Sequence, residues 1–306
     1  MKVLIYGAGI QGSFLAHSLN RGANHVTLLA RGNRKDTLID NGLVLNHSLQ
    51  RKQTNDQLEV IDTLKAADRY DIIFVTMKYS DFPQVIDSLA NNNSPLIVFV
   101  GNQLDAAALE KIVQEKSRVK KTILFGFQMT GGTNNSNGTT VLRFGKGKMK
   151  IGSIKTRFTV QPLLDQLFKH TNYAWEYEVQ MDDWLKSHAV MIMIQNSFDY
   201  VYDSSNKTKN PRRLELLAQA LKDGNDVLET ANIDILPKKQ KILFSHPKFT
   251  RGLFTIYYGL PISQMVQGDF KEVYHLIDTF MHYSLEKQPV LKALLNQAKE
   301  KYEASV

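Results

Sequence analysis

The sequence predicts an α/β protein, a doubly wound parallel sheet followed by an all-α domain. Three observations carry that expectation. The chain opens on a strand, a glycine-patterned turn and a helix; apolar strands then alternate with helices to about residue 178; and strand signals become scarce from there to residue 306. At 306 residues the chain exceeds one such sheet and suits two domains of ordinary size, 1–178 and 179–306.

The opening unit says most. Val3-Leu4-Ile5-Tyr6 is a short apolar strand, Gly7-Ala8-Gly9-Ile10-Gln11-Gly12 the turn, and Val26-Thr27-Leu28-Leu29 the strand after an apolar helix. In such a unit Gly7 permits the tight turn, Gly9 leaves room for a pyrophosphate against the backbone, and Gly12 lets the helix lie close to the strand. The free N–H groups at Ile10, Gln11 and Gly12 and the positive end of the helix dipole then receive phosphate charge. Strand before and helix after make this a Rossmann-type dinucleotide site.

The end of the second strand reads the adenosine ribose. A carboxylate there accepts hydrogen bonds from the ribose diol and repels a 2′-phosphate. No Asp or Glu occurs between Met1 and Lys35, and the position offers Ala30-Arg31-Gly32-Asn33-Arg34-Lys35 instead. A guanidinium grips a phosphate with two parallel hydrogen bonds, so Arg31 favours NADP(H) over NAD(H). For Arg34 and Lys35 a solvated basic loop is as good a reading as contact.

The remaining elements follow in order. Asp71-Ile72-Ile73-Phe74-Val75-Thr76 is a strand running into Met77-Lys78, residues 82–89 read as helix, and Pro95-Leu96-Ile97-Val98-Phe99-Val100 is a strand ending in Gly101-Asn102-Gln103. Residues 106–115 read as helix and Thr122-Ile123-Leu124-Phe125-Gly126-Phe127 as strand. Ligands of such sheets bind beyond the carboxyl ends of the strands, which makes Lys78 and Asn102 candidates to hold cofactor and substrate. Residues 131–138 form a polar, turn-rich loop, and a hairpin is expected from 140–144 and 149–154 around Gly145-Lys146-Gly147-Lys148. A helix over 160–170 and a strand over 173–177 close the first domain. Long helices are expected over 182–200, 212–231, 271–286 and 289–303, with 203–210 a polar linker and Pro211 in a first helical turn.

Composition narrows the function. Hydrophobic residues make up 43% and charged residues 22%, as in a packed globular chain. No apolar run approaches the roughly 20 residues of a membrane span. The N-terminus enters a strand directly and cysteine is absent, so a cytoplasmic protein without disulfides or thiolate metal sites is expected. The eight histidines show no metal-ligand spacing, and no metal is expected. The net charge of +8 comes from 38 Lys and Arg scattered among 30 Asp and Glu. That pattern suits a polyanionic cofactor and an acidic small molecule better than nucleic acid.

Several motifs together resemble the ketopantoate reductases (2-dehydropantoate 2-reductases). They are Gly7/Gly9/Gly12, Arg31, Val75-Thr76-Met77-Lys78 at a strand end, Asn102-Gln103 at another, and Trp184-Leu185-Lys186 opening the second domain. The resemblance implies NADPH-dependent reduction of a 2-oxo acid to a 2-hydroxy acid, 2-dehydropantoate to pantoate in pantothenate biosynthesis, with Lys186 protonating the ketone oxygen. It also implies a glutamate near the site, for which Glu272 is the positional candidate, and allows a homodimer. Departures are concentrated in the substrate half. Where the family carries asparagines one and two turns after the lysine, this chain has Val190 and Ile194, expected to face the substrate with Lys186. Gln103 replaces a glycine after Asn102, and Ile277-Asp278 replaces an asparagine–glycine pair. The apolar pair points to a branched or aromatic 2-oxo acid, as in a D-2-hydroxyacid dehydrogenase. A different class, a catalytically inactive NADP(H)-binding sensor or scaffold, accounts for the same loss. Ketone reduction needs a proton donor near the oxygen, and a lysine beside another cation has its pKa lowered toward neutrality.

Overall fold

The computed structural model describes residues 1–135, 138–143, 145–155, 157–202, 210–260, 263 and 269–306. They form two compact units, one of Met1–Gly101 and Ala106–Met181, the other of Asn102–Asp105 and Asp182–Val306.

The first unit is the doubly wound sheet. Its strands are β1 (Lys2–Tyr6), β2 (His25–Leu29), β5 (Glu59–Ile61), β6 (Ile72–Val75), β7 (Leu96–Val100), β8 (Thr122–Gln128), β11 (Gly147–Gly152) and β12 (Tyr173–Tyr177), in the order β12-β11-β8-β7-β6-β1-β2-β5. The helices are α1 (Ile10–Asn20), α2 (Gly32–Asn41), α3 (Ile86–Asn91), α4 (Ala106–Lys116) and α5 (Gln161–Phe168). β6 and β7 are buried along their whole length, as expected of central parallel strands covered on both faces. Only β8 and β11 pair antiparallel within this sheet. The helix expected over 82–89 splits into a 3₁₀ turn, Tyr79–Val85, and α3. Pro83 lies in the turn and cannot donate a ladder hydrogen bond.

Sequence reading did not foresee a second sheet of β3 (Leu43–His47), β4 (Lys52–Asp56), β9 (Gly131–Asn135) and β10 (Gly138–Leu142), ordered β4-β3-β10-β9. It overturns the expected hairpin. β10 pairs with β9 and, in parallel, with β3, whereas β11 goes to the large sheet between β8 and β12. Side-chain alternation identifies a strand but not its partner, and two strands adjacent in sequence here serve different sheets.

Helix α1 is fastened to this second sheet by a buried polar joint. His17 Nδ1 lies 2.5 Å from Asp56 Oδ2 on β4, and Arg21 Nε donates to Asp56 Oδ1 at 2.8 Å. Burial alone would raise the Asp56 carboxyl, but hydrogen bonds and charge from His17 and Arg21 outweigh it and hold the group below the usual range. His47 stands beside His17, ring centroids 5.2 Å apart, and pairs through Nε2 with Thr54 Oγ1 at 2.9 Å. Burial, then the charges of His17 and Arg143, push its pKa down to about 4.

The second unit is helical among its described residues: α6 (Met181–Val201), α7 (Pro211–Thr230), α8 (Lys238–Phe244), α9 (Pro247–Gly259), α10 (Phe270–Phe280) and α11 (Pro289–Glu303). Asn210 caps α7, its side chain accepting from Arg212 N, with Pro211 in the first turn. Residues 203–209 of the expected linker lie outside the described residues. The helix expected over 271–286 ends at Phe280, where a tight turn brings Met281 and His282 back onto its last carbonyls. No described helix is long and apolar enough to cross a membrane.

Candidate functional site

The glycine turn explains its own composition. Gly7 has φ of +117°, and a Cβ there would lie 2.8 Å from Thr76 O. A Cβ on Gly12 would lie 1.9 Å from Gly7 O and 2.4 Å from Thr76 Oγ1, so only glycine lets α1 approach β1 and β6 this closely. Thr76, just beyond β6, holds the turn by donating from Oγ1 to Gly7 O at 2.8 Å and from N to Tyr6 O at 2.9 Å. Nothing lies within 4 Å of the Cβ position of Gly9. The N-terminus of α1 has no side-chain cap and no acidic residue in its first turn. Open space against uncapped N–H groups fits a pyrophosphate, so this cradle passes the steric and electrostatic test for a dinucleotide.

Arg31 stands at the head of α2. Its Nη2 donates to Tyr6 Oη at 2.9 Å and its Nε to the backbone oxygen of Asp62 at 3.3 Å. Lys35 Nζ lies 2.6 Å from Asp62 Oδ2. Arg34 turns inward and is half-buried, donating to Ala8 O at 3.1 Å and to Ser13 Oγ and Thr139 Oγ1 at 3.0 Å. It thus ties the glycine turn to β10, and burial lowers the pKa of its guanidinium. Asp62 escaped the sequence reading because it is far from Arg31 along the chain. β5 pairs in parallel with β2 at Leu29↔Ile61, which brings the next residue of β5 to the end of β2.

The strand-end candidates behave differently from one another. Lys78 is exposed and opens the 3₁₀ turn, its carbonyl accepting from Asp81 N at 2.9 Å. Asn102, in the stretch after β7 that belongs to the second unit, donates from Nδ2 to Glu272 Oε1 on α10 at 3.2 Å. The structure therefore joins two predicted residues 170 positions apart. Asn102 Oδ1 and both amide atoms of Gln103 are buried without hydrogen-bond partners among the described residues. Buried amides of this kind call for a water or ligand group. Ile277, in place of a family asparagine, is core, and Asp278 pairs with Lys299 at 3.0 Å.

Lys186 on α6 pairs with Asp182, one turn earlier, at 2.6 Å. Its neighbour is thus a carboxylate, where a second cation was expected. Val190 and Ile194 require a second correction. They are 2% and 0% exposed, and a Cβ at Gly224 of α7 would lie 2.9 Å from Val190 Cγ1 and 2.6 Å from Ile194 Cδ1. They pack against α7 as core, not as the lining of a substrate pocket. Asn196 stays half-exposed and donates to Ile192 O at 2.8 Å.

The first unit is thus a doubly wound sheet with an open phosphate cradle, and α6 of the second unit carries the paired Lys186. Residues 3–156, half of the chain, match the family described as ketopantoate reductase PanE/ApbA. The chain belongs to the ketopantoate reductase family, whose members are oxidoreductases acting on CH–OH groups. No curated protein matches the sequence. Similar solved structures include a complex of D-mandelate dehydrogenase with NADH, 16% identical over 99% of both chains with a TM-score of 0.73. A PanE/ApbA family ketopantoate reductase from Ralstonia eutropha JMP134 is 15% identical over 99% of this chain and 100% of that one, TM-score 0.72. A dimeric ketopantoate reductase from Staphylococcus aureus is 14% identical over 100% of both chains, TM-score 0.69. At these identities the likeness is one of fold.

Proposed function

We propose that the protein is a cytoplasmic NADPH-dependent reductase that converts a 2-oxo acid to the 2-hydroxy acid, with 2-dehydropantoate as the first substrate to test. The observation that carries this reading is the open, uncapped cradle at Gly9 with Arg31 at the end of β2. Gly7, Gly9, Ile10, Gln11 and Gly12 hold the pyrophosphate, and Arg31 binds the 2′-phosphate. A dinucleotide held by these residues would supply the hydride for reduction of the carbonyl carbon. Lys186 donates the proton from Nζ to the carbonyl oxygen, with Asp182 fixing the position of that ammonium. Glu272 orients Asn102 so that its unpartnered Oδ1 meets a donor on the ligand, and Lys78 offers a cation to the substrate carboxylate.

With Val190 and Ile194 in the core, an apolar pocket no longer argues for a branched or aromatic substrate. Support for an aromatic 2-oxo acid now comes only from the fold shared with D-mandelate dehydrogenase. Turnover decides: NADPH absorbance should fall when ketopantoate is added to the purified protein. Faster reduction of the 2-oxo acid of mandelate would favour the second reading. Tight NADPH binding with no turnover of any 2-oxo acid would leave a sensor or scaffold.

A further inference from the structure

The end of β2 lacks the acid that selects NADH, yet the fold brings an acid there from another strand. Ala30 N donates to Ile61 O at 2.9 Å, and the next residue of each strand forms the contact Arg31 Nε to Asp62 O at 3.3 Å. Asp62 is thus the immediate neighbour of the residue placed to read the ribose. Its carboxylate is half-exposed and is held by Lys35 Nζ at 2.6 Å, with Lys35 itself on the first turns of α2. The Lys35 ammonium, followed by Thr63, keeps the Asp62 carboxyl below its usual range, so the group is an anion at neutral pH.

We infer that Asp62, acting with Lys35, sets the preference between NADPH and NADH, so that Arg31 does not set it alone. This rests on the dinucleotide reading proposed above. A 2′-phosphate beside Arg31 draws Lys35 away from Asp62 and meets the remaining carboxylate charge as repulsion. A ribose diol instead finds in Asp62 an acceptor for its hydroxyls, the role a carboxylate at the end of β2 plays in NAD-binding units. The site can therefore hold either dinucleotide, with a smaller preference for NADPH than an arginine alone would give.

The test is Asp62→Asn, with Lys35→Gln as its counterpart, titrated with NADPH and NADH separately by quenching of protein fluorescence. Both residues are on the surface, and thermal melts report whether the variants stay folded. Removing one negative charge beside the residue that would grip the 2′-phosphate should tighten NADPH about threefold to tenfold, the order expected for neighbouring charges in high dielectric. The gain should shrink with added salt. NADH should weaken by a few-fold as it loses a charged acceptor. Lys35→Gln should weaken NADPH and spare NADH. A ratio of the two dissociation constants that moves by less than twofold in Asp62→Asn overturns the inference while leaving the dinucleotide reading intact. Failure of the unaltered protein to bind either dinucleotide overturns both.

Discussion

The placement of Val190 and Ile194 in the helical core can be tested by a double-mutant cycle with Gly224. Gly224→Ala adds a Cβ that would meet Ile194 Cδ1 at 2.6 Å and Val190 Cγ1 at 2.9 Å. Overpacking of that kind costs about 1–3 kcal/mol, offset by roughly 1 kcal/mol because alanine is the better residue in a helix interior. The net loss should be about 0–2 kcal/mol. Ile194→Val removes the very atom in conflict, Cδ1, and by itself costs about 0.5–1.5 kcal/mol. In the double variant the alanine methyl enters the vacated space, so most of the overpacking disappears. The two changes should therefore couple favourably by about 1 kcal/mol, with only the Val190 contact left to absorb. Urea unfolding of the four proteins gives the coupling. Since neither side chain faces substrate, kcat/KM of the folded double variant should stay within about threefold of the starting protein, a difference of about 0.7 kcal/mol. Additivity to within about 0.3–0.5 kcal/mol would show that these atoms do not meet, and α6 would have to turn its apolar face elsewhere.

Other outcomes follow from the same geometry. Arg31→Ala should weaken NADPH by about 1.5–3 kcal/mol and NADH much less, measured by calorimetry; equal losses would assign Arg31 to structure through its bond to Tyr6. Lys186→Ala should lower kcat by about a hundredfold or more while leaving the dissociation constant of NADPH nearly unchanged, and retained turnover would remove the lysine from proton transfer. Stability should depend on pH through His47, whose folded pKa of about 4 lies below the ordinary 6.5. The unfolded chain takes up this proton first as pH falls, so the stabilisation is complete above about pH 6.5 and is lost toward pH 4. The slope reaches about 1.4 kcal/mol per pH unit, roughly 3 kcal/mol in all. His47→Gln should remove about one proton from the unfolding linkage measured between pH 7 and pH 5, and an unchanged linkage would place the titration elsewhere.

The parts of this fold legible in the sequence are those governed by local chemistry. Gly7 and Gly12 could be assigned because each answers a steric demand set within the turn or by Thr76, and Gly9 because its place in the pattern leaves open space for a ligand. The central strands could be read because burial on both faces leaves continuous apolar runs. Pairing between distant segments was hidden. Nothing near Leu45 announces Thr139 as its partner, and the split of β10 from β11 depends on that pairing. Asp62 was hidden for the same reason, since its importance comes from the register of β5 on β2. Asn102 was reached from its strand end and Glu272 through resemblance to a family, but their contact was not foreseen. The face of α6 was misjudged by carrying a family's substrate positions onto a helix whose own apolar stripe was already committed to Gly224.

The second sheet also has a consequence for the order of events during synthesis. Helix α1, proposed above to receive the phosphates, leaves the ribosome well before part of the surface that holds it. β3 and β4 can pair at once as neighbours, while β10, which binds β3 in parallel through Leu45↔Thr139, is 139 − 45 = 94 residues further on. At about 5–20 residues per second that delay is roughly 5–20 s. Closing so long a loop costs about 4 kcal/mol of chain entropy before its contacts repay it. Arg34 cannot reach Thr139 until then, and the glycine turn lacks that tether. A nascent chain halted before residue 131 would carry the whole nucleotide fingerprint and still hold its cofactor poorly.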